Sequence, residues 1–281
     1  MKNFITAALP VIAILSGCSS LPPAGNLAPL QAAKICNAKI GESFGPDGHL
    51  YTTLSIAEKA GYERLRQLTL AYYSQYPDLD LDYEAVAVSI KYILIPWQWT
   101  WRNDITGGLH SLHGGGRSEI DMRRLKIRNA LAKTITQTDM DWLSGLLIHA
   151  YGDAYAHTKG ELNSDNEQAY GPWIGHAVSS LLGNNPDNIK NPTTEPKYFA
   201  FVNNLYQTIK IDQAKDDRLD DFIRYAKDIK CSNGQCPNFF KIATDKPAGS
   251  SIIDKFSGCM NETARHLTSA EVQQAIDLIK N

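Results

Sequence analysis

The 281-residue chain has no phosphate-cradling glycine loop and no dinucleotide fingerprint. Those absences remove P-loop NTPases and Rossmann dehydrogenases as readings. Alternating strand patterns are scarce, and no sequence repeat or extended low-complexity tract is visible. Positive charge is not in excess: 28 Lys and Arg face 30 Asp and Glu, for a formal net charge of −2. No general attraction to nucleic acid or anionic lipid follows from that balance. The apolar run from Phe4 to Leu15 is too short to span a bilayer. Cysteines number only five.

What is present begins with an address. Lys2 precedes the apolar run, and Leu15-Ser16-Gly17-Cys18 resembles a bacterial lipobox, where cleavage precedes the cysteine and the thiol receives lipid. Ser19, rather than an aspartate, follows Cys18, which points to the outer membrane facing the periplasm. The expected organisation is therefore a signal peptide over 1–17, a tether over 18–35 rich in serine, proline and glycine, and a helical metal-binding domain over 36–281. The tether joins the domain to its first partner, the membrane, through lipid on Cys18. Export also suits the remaining cysteines, Cys36, Cys231, Cys236 and Cys259, as two disulfides. Cys231 and Cys236 enclose an Asn-Gly turn and suit a local bridge, which leaves Cys36 to pair with Cys259.

Helical periodicity dominates the rest. Apolar residues at steps of three to five predict helices over Ser55–Tyr76, stopped by Pro77, over Tyr83–Leu94, and over Glu119–Thr136. Asp141–Thr158 is mostly apolar and reads as central. Trp173–Leu182, a segment marked by Phe199, Val202, Leu205 and Ile209, and Leu219–Ala226 follow. Thr268-Ser-Ala-Glu271 is a capping box that opens the last helix, with Val272, Ala275, Ile276 and Ile279 turned inward. Trp97-Gln-Trp-Thr-Trp101 has a period of two, suited to a short strand or an extended loop, and offers a platform for lipid, base or sugar as well as core filling. The fold class expected is all-α in one domain.

The polar residues inside this pattern carry the chemistry. His149-x3-Asp153-x3-His157 repeats a four-residue step, and four residues of α-helix turn about 400°, so the three side chains form one stripe. Imidazole and carboxylate are the usual zinc donors. An isolated carboxylate on so apolar a helix is costly to bury, and either a metal or a histidine hydrogen bond meets that cost. His176 follows Gly175, and Asp187 ends an Asn-Pro-Asp turn. Upstream, His110-x2-His113 precedes three glycines, Asp78 opens the acidic run Asp78, Asp80, Asp82, and His49 follows Gly48.

The ordered set Gly48-His49, Ser74-Gln-Tyr-Pro-Asp78, Leu112-His113-Gly114, His149-x3-Asp153-x3-His157 and Gly175-His176 through Pro186-Asp187 resembles the all-helical zinc-dependent phospholipase C fold. Single-strand-specific nucleases share its ligand logic. The resemblance covers roughly residues 45–190 and fits an uncharacterised branch. It implies one zinc on Asp78, His113, His149 and Asp153, a second on His157, His176 and Asp187, and a third near His49 with Asp153 as bridge. Two features depart from the family: Cys18 stands 31 residues before His49 where the phospholipases use a free N-terminal tryptophan, and Ser180 occupies a glutamate position.

Two or three zinc ions imply hydrolysis of a small phosphoester or phospholipid by a zinc-activated water. The sequence selects no side chain as base; Asp80, Asp82 and Asp104 are candidates, with Arg102 and Arg117 as candidate phosphate contacts. The rival reading is a non-catalytic envelope lipoprotein whose metal cluster braces its helices while it binds a partner.

Overall fold

A computed structural model describes residues 25–39, 48–92, 94–172, 192–214, 217–228 and 249–280. His176, Asp187, Cys18, Cys231, Cys236 and the helix expected over 173–182 lie outside the described residues. Among the described residues the chain is all-α, with one two-stranded ribbon. In order the helices are α1 (Pro29–Lys39), α2 (Gly48–Lys59), α3 (Arg64–Leu79), α4 (Ala85–Tyr92), α5 (Trp99–Asp104), α6 (Arg117–Thr134) and α7 (Asp141–Ala156). Then come β1 (Thr158–Lys159) antiparallel to β2 (Gln168–Ala169), α8 (Glu195–Ile209), α9 (Asp217–Asp228), α10 (Gly249–Thr263) and α11 (Ser269–Lys280).

Helix α7 is the centre because it is apolar almost all round, which makes burial on every side favourable. Everything from Leu143 to Tyr155 on it is buried. Its Leu147, Ile148 and Tyr151 belong to a core shared with Ile127, Phe201 and Leu205. Leu143 and Leu146 belong to a second core with Tyr51, Tyr73, Tyr76 and Phe256. So α7 packs on α3, α6, α8 and α11. Its approach to α3 is unusually close: a Cβ on Gly145 would lie 2.4 Å from Cβ of Tyr73. Only a glycine admits that crossing, and it brings the α3 backbone within reach of His149.

Three expectations are corrected. The periodic stretch over 55–76 is two helices, because the chain turns at Gly61 (φ 92°), and Pro77 sits inside the last turn of α3. The tryptophan segment is not extended: Pro96–Gln98 is a single 3₁₀ turn that runs into α5. Nor is 18–35 wholly a tether. Leu27 donates its N–H to the Thr263 carbonyl and its own carbonyl accepts from Arg265, while Ala32 and Ala33 on α1 are fully buried. Cys36 on α1 is bridged to Cys259 on α10 by a disulfide with a Cα–Cα distance of 5.6 Å.

Candidate metal centre

Four elements deliver the cluster. His49 stands at the start of α2, Asp78 in the last turn of α3, and His149 and Asp153 one turn apart on α7. His110 comes from the chain between α5 and α6. Ile105–Leu109 there forms a π-turn, sealed by the His110 N–H to the Ile105 carbonyl at 3.3 Å. Such wide turns recur at functional sites because they redirect one side chain without ending the helix abruptly. Ser111 then takes a positive φ of 53°, and its hydroxyl donates to the Ala150 carbonyl at 3.1 Å, tying this segment to α7.

Hydrogen bonds fix which ring nitrogens carry protons. Nδ1 of His149 lies 2.9 Å from the Ser74 carbonyl oxygen, and Nε2 of His110 lies 2.8 Å from that of Tyr83. A carbonyl only accepts, so these nitrogens are the protonated ones. The nitrogens on the other side, Nε2 of His149 and Nδ1 of His110, face each other at 3.2 Å. Both also face Oδ2 of Asp153, at 3.3 and 3.2 Å. Oδ1 of Asp78 stands 3.8 Å from each. Two imidazole lone pairs and two carboxylates converge here, and only a positive charge among them makes the arrangement favourable.

A proton on His110 is one such charge. Burial by itself depresses the imidazole, yet the hydrogen bond and charge of Asp153, joined by Asp78, raise it to about 8. For Asp153 burial pushes the carboxyl up, but His157, His149 and His110 outweigh it and hold it well below the usual carboxylate range. A divalent cation is the other candidate. Zinc bonds of about 2.0–2.1 Å put tetrahedral donors about 3.3–3.4 Å apart, against the 3.2–3.3 Å among the facing atoms of His110, His149 and Asp153, which form one group able to hold an ion. The donor types and spacing fit a metal, and His149 and His110 each anchor the far side of the ring on a carbonyl, as metal-bound histidines do.

Asp153 also looks the other way. Its Oδ1 lies 3.0 Å from Nε2 of His49, and His49, Asp78 and His149 form a second group able to hold an ion. The rings of His49 and His149 are 4.4 Å apart between centroids. His110, His149 and Asp153 are almost wholly buried, whereas the side chains of His49 and Asp78 remain 21% and 35% exposed. The cluster is therefore sealed on the α7 side and reachable at His49 and Asp78.

One candidate ligand is exchanged relative to the sequence reading. His110 occupies the place expected of His113, because the π-turn and the Ser111 bend carry position 110 inward. His113 instead accepts the Gly115 N–H on Nδ1 at 3.1 Å beside α6, where burial and the charge of Arg123 depress it to about 4. His157 sits next to the cluster, with Nδ1 2.6 Å from the His110 carbonyl and 3.4 Å from Oδ2 of Asp153; a metal would use its Nε2. The candidate bases and phosphate contacts are engaged elsewhere. Asp80 accepts from the Tyr76 hydroxyl at 2.6 Å, Asp82 pairs with Lys91 and Asp104 with Lys280. Arg102 is buried and donates to the Pro172 carbonyl at 2.7 Å, while Arg117 pairs with Asp121 and Glu167.

The residues that support the cluster do not stand out in the sequence. Ser74 supplies the carbonyl for His149 and donates its hydroxyl to the His49 carbonyl at 3.2 Å. Gln75 orients Asp78 through its amide at 2.9 Å. Gly152 leaves room for His49, since a Cβ there would lie 2.9 Å from Cε1 of that ring. Nearness of Ser74 and Gln75 to Asp78 in sequence is the one signal they offer; Gly152 offers none. No family model, curated protein or solved structure matches the chain.

Proposed function

We propose that this protein is an exported, lipid-anchored, metal-dependent hydrolase of phosphoesters, related to the zinc-dependent phospholipase C fold. The observation that carries the reading is the convergence of His110, His149 and Asp153 at tetrahedral donor spacing, with Asp78 beside them and the far nitrogens of both imidazoles committed to carbonyls. Zinc is the metal that mixed imidazole and carboxylate donors suit. The second group, with His49, and Asp153 facing both, suits two ions or more.

Zinc held there supplies Lewis acidity to a phosphoester. This chain's own residues do the positioning. Ser74 and Tyr83 hold the rings, Gln75 holds Asp78, and α7 keeps water from the rear of the cluster. Substrate would approach from the His49 and Asp78 side, the part of the cluster left exposed.

A second reading is favoured by the burial of His110, His149 and Asp153: a closed metal that braces α3 to α7 without turnover. Both readings predict bound zinc, so activity separates them. Zinc-loaded protein should hydrolyse at least one of a phospholipid, a single-stranded nucleic acid or a simple phosphate diester. His110→Ala and His149→Ala should each lose most bound zinc by elemental analysis and lower the melting temperature, because metal affinity is folding free energy. His113→Ala and His266→Ala should keep the metal. Carefully loaded wild-type protein that binds no zinc ends both readings; zinc without hydrolysis of any substrate leaves the brace.

A further inference from the structure

Six of the ten exposed large apolar side chains among the described residues fall within positions 81–99: Leu81, Val86, Ile90, Leu94, Trp97 and Trp99. Val86 and Ile90 are one turn apart on α4 and so share a face. Leu94 is 87% exposed and Trp97 80%. Trp99 donates its indole N–H to the Tyr92 carbonyl at 3.1 Å, which draws this ring to the end of the same helix. Scattered exposed apolar residues are ordinary, but a concentration of this kind marks an interaction surface.

The position of the N-terminus says which surface it meets. Leu27 bridges to Ala264, and three residues further on the Leu267 carbonyl accepts the Tyr83 hydroxyl at 2.7 Å, two residues before α4. Three residues span at most about 11 Å, so the chain leaves the domain near Tyr83, the segment that leads into α4. Gly25 lies seven residues after Cys18, a reach of at most about 25 Å. An acyl group on Cys18 would keep this face within reach of the bilayer.

We propose that the Val86–Ile90–Leu94–Trp97–Trp99 face docks into the interfacial layer of the membrane to which the chain is tethered. Indole rings prefer that layer, with apolar body and polar edge each satisfied. Among the described residues this face carries no cationic cluster, and Lys91 is paired with Asp82 at 2.6 Å. Docking is therefore apolar rather than electrostatic, and zwitterionic lipid suffices. The inference rests on the acyl anchor proposed above and not on the zinc chemistry. Held flat on the lipid, the domain would address substrate in or near the bilayer.

The test uses the processed, acylated chain reconstituted on phosphatidylcholine vesicles with brominated or ordinary acyl chains. The emission lost between wild type and Trp97→Phe belongs to Trp97 itself. Brominated lipid should quench that component at least twofold, with no change when anionic lipid or salt is added. Leu94→Asp, at a side chain too exposed to disturb folding, should abolish the quenching while zinc content and melting temperature stay the same. Floating protein whose Trp97 is unquenched, or quenched equally in Leu94→Asp, overturns the docking alone. So does a cross-linked dimer that shields Trp97, since a second copy would then cover the face. Protein that fails to float with the vesicles overturns the anchor together with the docking.

Discussion

At the scale of single residues, the cluster depends as much on what is small as on what ligates. His149, Asp153 and His157 are legible in the sequence because three polar groups at a four-residue step on an apolar helix are costly to bury unless they serve one another or a shared ion. The choice between His110 and His113 is not legible: three residues apart, they differ only in which side of a π-turn and a positive-φ serine they fall on, and neither device has a reliable sequence mark. Gly152 is equally silent. Within a helix, Gly→Ala ordinarily stabilises by roughly 0.5–1 kcal/mol. Here the added Cβ would meet Cε1 of His49 at 2.9 Å and Nδ1 at 3.2 Å, so the ring must move and its 3.0 Å contact with Asp153 is lost. Gly152→Ala should therefore lower zinc stoichiometry as His49→Ala does, with no rise in melting temperature. A variant with full metal content and a higher melting point would mean that His49 takes no part in the centre.

At the scale of elements, signals at helix ends are more informative than periodicity alone. The apolar pattern over 55–76 continues straight through Gly61, which is why two helices read as one, and the period of two in Trp97–Trp101 is compatible with a strand until the 3₁₀ turn at Pro96 sets it otherwise. The Thr268–Glu271 box, by contrast, is built as its sequence implies. The Thr268 N–H donates to Oε2 of Glu271 at 2.8 Å, and the Glu271 N–H donates to the Thr268 hydroxyl at 3.3 Å. Paired bonds from Arg265, against the opposing effect of burial and with help from Thr268, hold the Glu271 carboxyl at about 2. A carboxyl depressed on folding adds stability that is present above its unfolded value, near 4.5, and is lost as pH falls through about 2. Glu271→Ala should cost about 1 kcal/mol at neutral pH, a value kept modest because the pair is partly exposed to solvent. The difference in urea midpoint between variant and wild type should shrink steadily from about pH 4.5 to about pH 2. A gap that stays constant over that range would show that the carboxylate charge contributes nothing.

At the scale of the whole molecule, the all-helical class is legible because burying a stripe every three to four residues leaves few other solutions. The close fit of α3 on α7 is not, since it rests on one glycine meeting Tyr73. Closure of the chain is a matter of its ends. Cys36 and Cys259 are 223 residues apart, and their bridge ties α1 to α10, where Leu27 also pairs with Ala264. Constraining so long a loop in the unfolded chain stabilises by at most about 5 kcal/mol on the loop-entropy account. The His/Asp cluster proposed to hold zinc is built from α2, α3, α7 and the π-turn, none of which carries either cysteine. The double variant Cys36→Ala, Cys259→Ala should accordingly unfold at markedly lower denaturant while it retains its zinc at neutral pH. Alkylation of denatured, unreduced wild-type protein should label neither Cys36 nor Cys259. If both label freely, or if reductant leaves the unfolding midpoint where it was, the ends are held by packing alone, and the apolar contacts of Ala32, Ala33 and Leu27 must supply what the bridge does not.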